Sequence, residues 1–280
     1  MTAGRPRKAG ATTPAGPLSD SGSISANNPH LVAGSGTQGP GSRELGPIVP
    51  SPSVASGPTP FDTGNPKVNQ PGTNFVSICN NLGPNSADCR RAELVGLTDA
   101  HAAEGLAAPL WPASFWSLPD DQQLFILANE ERVDRQLPPL LGITAQADAD
   151  ARAGALHDRD PKGRNQGHPP ILDWASNWAS DYSTMASEFD WMYDDGVSGS
   201  RNQGNLDCPK ASAPGCWGHR QDTLFEFPST PTHSSLVFGG ACVADAQYPA
   251  NLSCSEIFEL DSGPPSSYTF SWSQAVAMGA

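Results

Sequence analysis

The stretch "GCWGHRQDTL", residues 215–224, sets an imidazole three positions after a thiol and directly behind Trp217 and Gly218. A histidine so placed admits three roles: general base, metal ligand, or polar packing group bonded to buried backbone at a helix start. The choice depends first on Cys216, because an imidazolium beside a free thiol lowers its pKa and creates a reactive nucleophile. The six cysteines fall as three local couples, Cys79/Cys89, Cys208/Cys216 and Cys242/Cys254. Sequence does not fix their connectivity, but short local couples read as disulfides, each contributing on the order of 2–3 kcal/mol. A structural zinc cluster would need C-x₂₋₄-C pairs, which the chain lacks. Cys216 is then tied down, and the imidazole of His219 is left to carry any chemistry.

Other chemical patterns are weaker. "GSGTQG" at 34–39 fits G-x-G-x-x-G, but no strand precedes it and no helix follows. "FDTG" at 61–64 and "LDSG" at 260–263 mimic paired aspartic-protease loops, yet they sit against "NPK" and "PP" where packed apolar segments would be needed. Neither a G-x-S-x-G elbow nor H-E-x-x-H occurs.

The elements that must position His219 are legible in outline. Residues 1–72 are rich in Gly, Pro, Ser, Thr and Ala with almost no aromatics, which predicts a disordered tail. A helical extension with a disulfide is expected over 73–117. "CRRAELVGLTDAHAAEGL" and "LPDDQQLFILANEERVDRQLPPL" predict two helices joined by the Trp/Pro-rich 109–118. "TAQADADARAGALH" predicts a third with Thr144 as N-cap, and "SDYSTMASEFDWMYDD" a fourth. "SSLVFGGACVA", "CSEIFEL" and "SYTFSWSQ" read as three closing strands. Helices first and antiparallel strands last make an α+β chain.

Composition removes several classes. The chain has 280 residues and a formal net charge of −13 with 16 Lys+Arg, so no positive field exists to neutralise phosphates. No nucleic acid partner is expected. No apolar run reaches a membrane span, and the basic start "MTAGRPRKAG" has no apolar stretch behind it. The paired cysteines point to an oxidising compartment, with an export signal either missing from this sequence or hidden by a mis-assigned start.

Four motifs in order resemble the CAP superfamily, the SCP-like domain of cysteine-rich secretory proteins, antigen 5 and pathogenesis-related class 1 proteins, in its bacterial branch. "LANEERVDRQLPPL" (127–140) resembles the family's opening helix, "ASNWA" (175–179) stands where it has Gly-Glu-Asn, "FDWMYDD" (189–195) resembles its Trp helix, and "WGHRQDTL" (217–224) its "GHRxNIL" turn. The resemblance covers 118–280 and implies a three-layer α-β-α sandwich. It also implies a cleft with two His and two acids, the His pair able to hold a divalent metal. Carried over residue by residue, His219 and His157 are the His pair, Asp194 is the second acid, and Ser176 replaces the first. Only a weakly bound divalent ion such as Zn²⁺ is expected, since a hydroxyl orients an imidazole less well than a carboxylate. Asn129 and Arg132 are expected to tie the first helix to the sheet, and Arg220 to anchor a carboxylate or a carbonyl. Trp174, Trp178, Trp191 and Trp217 are core residues unless some line a groove. The resemblance implies a secreted or cell-surface module that binds a small hydrophobic or glycan ligand, or a cell-surface partner. The alternatives are a hydrolase with His219 as general base, Asp194 as its orienter and Ser176 as nucleophile or water-positioning hydroxyl, and a stalked structural surface protein.

Overall fold

The computed structural model of the chain describes residues 65, 69, 75–164, 169–197, 205, 208–225 and 234–280. The expected tail and the patterns at 34–39 and 61–64 lie outside these, apart from residues 65 and 69.

Helices α1 (Phe75–Leu82) and α2 (Ala87–Ala103) come first. The Ser86 hydroxyl starts α2 by accepting from the Cys89 N–H, and the Cys79–Cys89 disulfide clamps the two helices. A 3₁₀ turn at Phe115–Ser117 leads into α3 (Asp120–Val133), which opens with Asp120 and Asp121 where the helix dipole favours negative charge. Then follow β1 (Gly142–Ile143), α4 (Ala145–Ala155), β2 (Ile171–Asp181), α5 (Thr184–Tyr193), α6 (Gly218–Thr223), β3 (Ser235–Ala244), β4 (Leu252–Asp261), β5 (Phe270–Ser271) and α7 (Trp272–Met278). Thr144 caps α4 as expected, its hydroxyl accepting from the Ala147 N–H. Ser183 does the same for α5 through Ala186.

Among the described residues five strands form one sheet in the order β2-β4-β3-β1-β5. Its centre is antiparallel, with β4 between β2 and β3, but β1 runs parallel to β3. The sheet is therefore mixed, where an antiparallel group was expected. Two sequence expectations change. "SYTFSWSQ" yields only the two-residue β5, because Ser271 and Gln274 form a reciprocal capping box that turns the chain into α7. The longest strand, β2, contains "ASNWA" and was not anticipated. It is an edge strand whose residues pair with β4 from Ile171 to Asp181.

Gly239 and Gly240 show how closely helices seat on the sheet. A Cβ on Gly239 would collide with the backbone of Ala147 in α4, and one on Gly240 would crowd Leu124 and Asp121 of α3. Consecutive strand residues face opposite sides, so α4 and α3 approach β3 from opposite faces. Phe75, Cys79, Cys89, Leu97 and Phe115 share one apolar cluster with Phe125, Phe238, Phe258 and Trp191, so the N-terminal helices belong to the main core. The remaining disulfides are Cys208–Cys216 and Cys242–Cys254, the second joining β3 and β4 across a paired position. The three couples pair as read from their spacing. Among the described residues no helix is long and apolar enough to cross a membrane.

Candidate functional site

The site is built around α6. Trp217, in the left-handed conformation at φ 59°, turns the chain into the helix, and Gly196 leaves room for its ring because a Cβ there would strike it. The Cys208–Cys216 disulfide closes the loop that delivers this turn. With Trp217 offering no side-chain cap, the first N–H groups of α6 need an outside acceptor. Asp195 supplies it: its Oδ2 accepts from the His219 N–H at 2.8 Å and the Arg220 N–H at 3.3 Å. Its Oδ1 meets His219 Nδ1 at 2.7 Å. Asn205 Nδ2 donates to the same Oδ1 at 2.6 Å and to the carbonyls of Asp195 and Gly215. One buried carboxylate thus caps the helix and fixes the ring through Nδ1, with Nε2 on the side of Asp160.

The His219 side chain is 24% exposed, and Nε2 lies 3.8 Å from Asp160 Oδ1. Burial opposes charge on this imidazole, but the hydrogen bond and charge of Asp195, with Asp160 and Asp222 beyond, outweigh it and raise the ring from 6.5 to about 9. The direction of this shift favours the imidazolium form of His219 at neutral pH. In that form Nδ1 donates to Asp195, and the Nε2 N–H is left to meet another acceptor.

Asp194, the acid expected here, takes a different place. Its carboxylate accepts from Asn69 Nδ2, and the same amide donates to the Asp194 and Gly196 carbonyls at 3.1 and 3.2 Å. The partner of His219 is the next residue, Asp195. Helix α5 ends at Tyr193 with Asp194 as its C-cap, so the chain has left the helix when it reaches Asp195 and can turn that side chain onto α6. Ser176 is also separate from the imidazole: buried on β2, its hydroxyl donates to the Pro161 carbonyl at 2.9 Å. Its neighbour Asn177 points to the other face and donates to the His219 carbonyl at 3.2 Å, Thr223 Oγ1 at 3.0 Å and Glu256 Oε1 at 2.7 Å. His157 is exposed on the turn after α4, where it lines a shallow depression of about 270 Å³ with Asp150, Asp160, Lys162 and Arg164. Asp160 belongs to this depression and to the surroundings of His219.

The supporting polar residues behave as anchors. Arg220 donates to the Met192 carbonyl at 2.8 Å and to Glu104 Oε2 at 2.9 Å, as its expected role requires. Arg132 ties α3 to the end of α6, through the Thr223 and Phe225 carbonyls, where an anchor to the sheet was expected. Asn129 pairs both ends of its amide with the Leu140 backbone. Glu104 also takes Arg135 at 2.7 Å, and Arg135 continues to Glu131 and Tyr193, so the end of α2 braces the helix that carries His219. Trp191 and Trp217 are buried, and Trp174 and Trp178 half-buried, with Trp178 Nε1 donating to Ser253 Oγ at 2.8 Å.

Sequence reading missed Asp195, Glu104 and Asn177. The doubled aspartate after "WMY" was the available signal for the first; nothing local marked the other two. Among the described residues, one group of three metal-type side chains has donor atoms within 4.8 Å of one another, Cys79, Cys89 and Glu93, and its two sulfurs are joined in a disulfide.

No family model and no curated protein matches the chain. Among solved structures it is similar to Schistosoma mansoni venom allergen-like protein 4, at 12% identity over 54% of this chain and 94% of that one, with a TM-score of 0.30. A likeness that loose assigns neither fold nor family.

Proposed function

We propose that the chain is an extracytoplasmic module of the CAP type, a three-layer sandwich that binds a polar ligand at the cleft beside His219 without turning it over. The observation that carries this reading is the grip of Asp195 on His219. A ring held charged at neutral pH is a poor general base and a poor metal ligand, since both roles need a free lone pair on Nε2. It is a good hydrogen-bond donor to a hydroxyl, carboxylate or other oxygen of a ligand. Trp191 and Trp217 are buried, so the recognition proposed for the cleft is by polar groups around His219 and not by these rings. The three disulfides support an oxidising location, secreted or at a cell surface.

The hydrolase reading is the weaker one. Ser176 gives its proton to a backbone carbonyl and lies on the strand face opposite Asn177, which holds α6. A His157–His219 metal pair would have to displace the proton on Nε2, so Zn²⁺ should bind weakly. The test is a glycan array and calorimetry on the oxidised protein, comparing wild type with His219→Ala. Saturable binding that is lost at least tenfold in the variant supports the module. Steady ester, amide or glycoside turnover that Ser176→Ala abolishes refutes it, as does Zn²⁺ bound at nanomolar affinity and lost in His219→Ala.

A further inference from the structure

The segment that follows α4 runs against the overall sign of the chain. The net charge is −13, yet three of the 16 Lys+Arg, namely Arg159, Lys162 and Arg164, fall within six residues. All three are exposed, and all three line the depression of about 270 Å³ in which Asp160 also lies. The buried members of its lining, Gly154 and Pro161, and the half-buried Ala153 give it a small aliphatic floor beneath a charged rim. The loop is held in place. Asp158, in the left-handed conformation at φ 48°, leads it away from the helix. Gly154 lets it close on α4, because a Cβ there would stand 2.9 Å from the Arg159 carbonyl oxygen and from Pro161, and Gly163 rests where a Cβ would strike the Trp174 ring. At the far end the buried Asp150 accepts from the Arg164 backbone N–H at 2.8 Å and from Arg164 Nε.

The geometry points to a subsite in this depression for the sulfate or carboxylate group of an acidic sugar, with Arg159 and Lys162 as the binding charges. It rests on the reading of a binding module at the His219 cleft and names the class of ligand. Arg164 is committed to Asp150 and to the Ala149 carbonyl at 3.2 Å, so it anchors the loop and cancels the one fully buried acid of the lining. Arg159 and Lys162 form no ion pair among the described residues. The remaining acid, Asp160, stands 3.8 Å from His219 Nε2, which joins the depression to the cleft. Two cations on a loop already fixed lose little conformational freedom on meeting an oxyanion, and each supplies a charge-assisted hydrogen bond. The size of the depression, just below the roughly 300–1,000 Å³ of pockets for drug-sized ligands, admits one sugar unit and not a chain. Its aliphatic floor suits the C–H face of a pyranose while the rim meets the substituents. No aromatic ring lines it, which removes base stacking, and the net charge of the molecule repels long polyanions.

The test is calorimetry of the full oxidised chain with tetragalactose, its sulfated form and tetragalacturonate. At least one acidic form should bind about tenfold or more tighter than the neutral parent, the effect of a single charge-assisted hydrogen bond, and the form that does so names the oxyanion. Raising NaCl from about 50 to about 500 mM should shrink that preference. Arg159→Gln/Lys162→Gln changes two exposed side chains and should abolish the preference, whereas Arg91→Gln/Lys210→Gln, with the same change in net charge elsewhere on the surface, should keep it. His219→Ala should weaken all three sugars alike and leave the preference intact. A His219-dependent affinity that is equal for acidic and neutral sugars overturns this subsite and spares the cleft. A preference that needs Arg159 and Lys162 but ignores His219 does the reverse. Absence of binding by either acidic sugar, a preference that survives Arg159→Gln/Lys162→Gln, or an acidic peptide that binds as tightly as the acidic sugars overturns the proposal.

Discussion

Replacing Asp195 by Asn tests the centre of the proposed cleft, because the carboxylate is the main cause of the charge on His219. Raising an imidazole from 6.5 to about 9 corresponds to about 3 kcal/mol of preference for its protonated form. The side chain is 24% exposed, so solvent screening is modest. Asn keeps an oxygen for the N–H groups of His219 and Arg220 but loses the charge, so α6 should remain capped while the ring is released. What then remains is burial, which lowers the value, against Asp160 and Asp222, which raise it less. The ring of Asp195→Asn should titrate well below the wild-type ring. Imidazole resonances followed by NMR from pH 5 to about pH 10 give both values directly. The folded value in wild type lies above the unfolded one, so this interaction stabilises fully below about pH 6.5 and is lost as pH rises through about 9. An ordinary titration of His219 in wild type, or an unchanged one in Asp195→Asn, would refute the assignment of Asp195 as its partner and with it the donor role of the ring.

Four further outcomes follow from the same structure. Burial raises Glu93, Glu130 and Asp148 to about 7 and Glu259 to about 8; because each folded value exceeds the unfolded one, stability by denaturant titration should fall between about pH 5 and pH 8. Glu104→Gln leaves Arg135 and Arg220 without their shared carboxylate and should cost about 3–5 kcal/mol, visible in the same titration. Cys208→Ala/Cys216→Ala opens the loop before α6 and should cost about 2–3 kcal/mol, with faster amide exchange confined to that region. Ser176→Ala removes one hydrogen bond to the Pro161 carbonyl and should cost about 1 kcal/mol, with ligand binding at the cleft unchanged.

Much of the local structure was written in neighbouring residues. The disulfides are local because their loops are short, and Thr144 caps α4 because a hydroxyl ahead of an alanine-rich helix has a free N–H to meet. The helices α2 to α5 and the strands β3 and β4 follow from periodicity and from the punctuation around them. The decisions that shape the cleft were made elsewhere. "ILDWASNWASD" carries no clean alternation; it becomes β2 because β4 offers it a partner along its length, and Asn177 is accepted in the core because Glu256 and Thr223 take its hydrogen bonds. The two aspartates after Tyr193 are chemically identical in sequence. Asp194 lies at the helix end and finds Asn69, while Asp195, one residue further along, meets the otherwise uncapped N–H groups of a helix that begins more than twenty residues later. Capping, ring orientation and charge all depend on that one residue of chain geometry, and periodicity has no term for a carboxylate whose partner is set by where another helix starts.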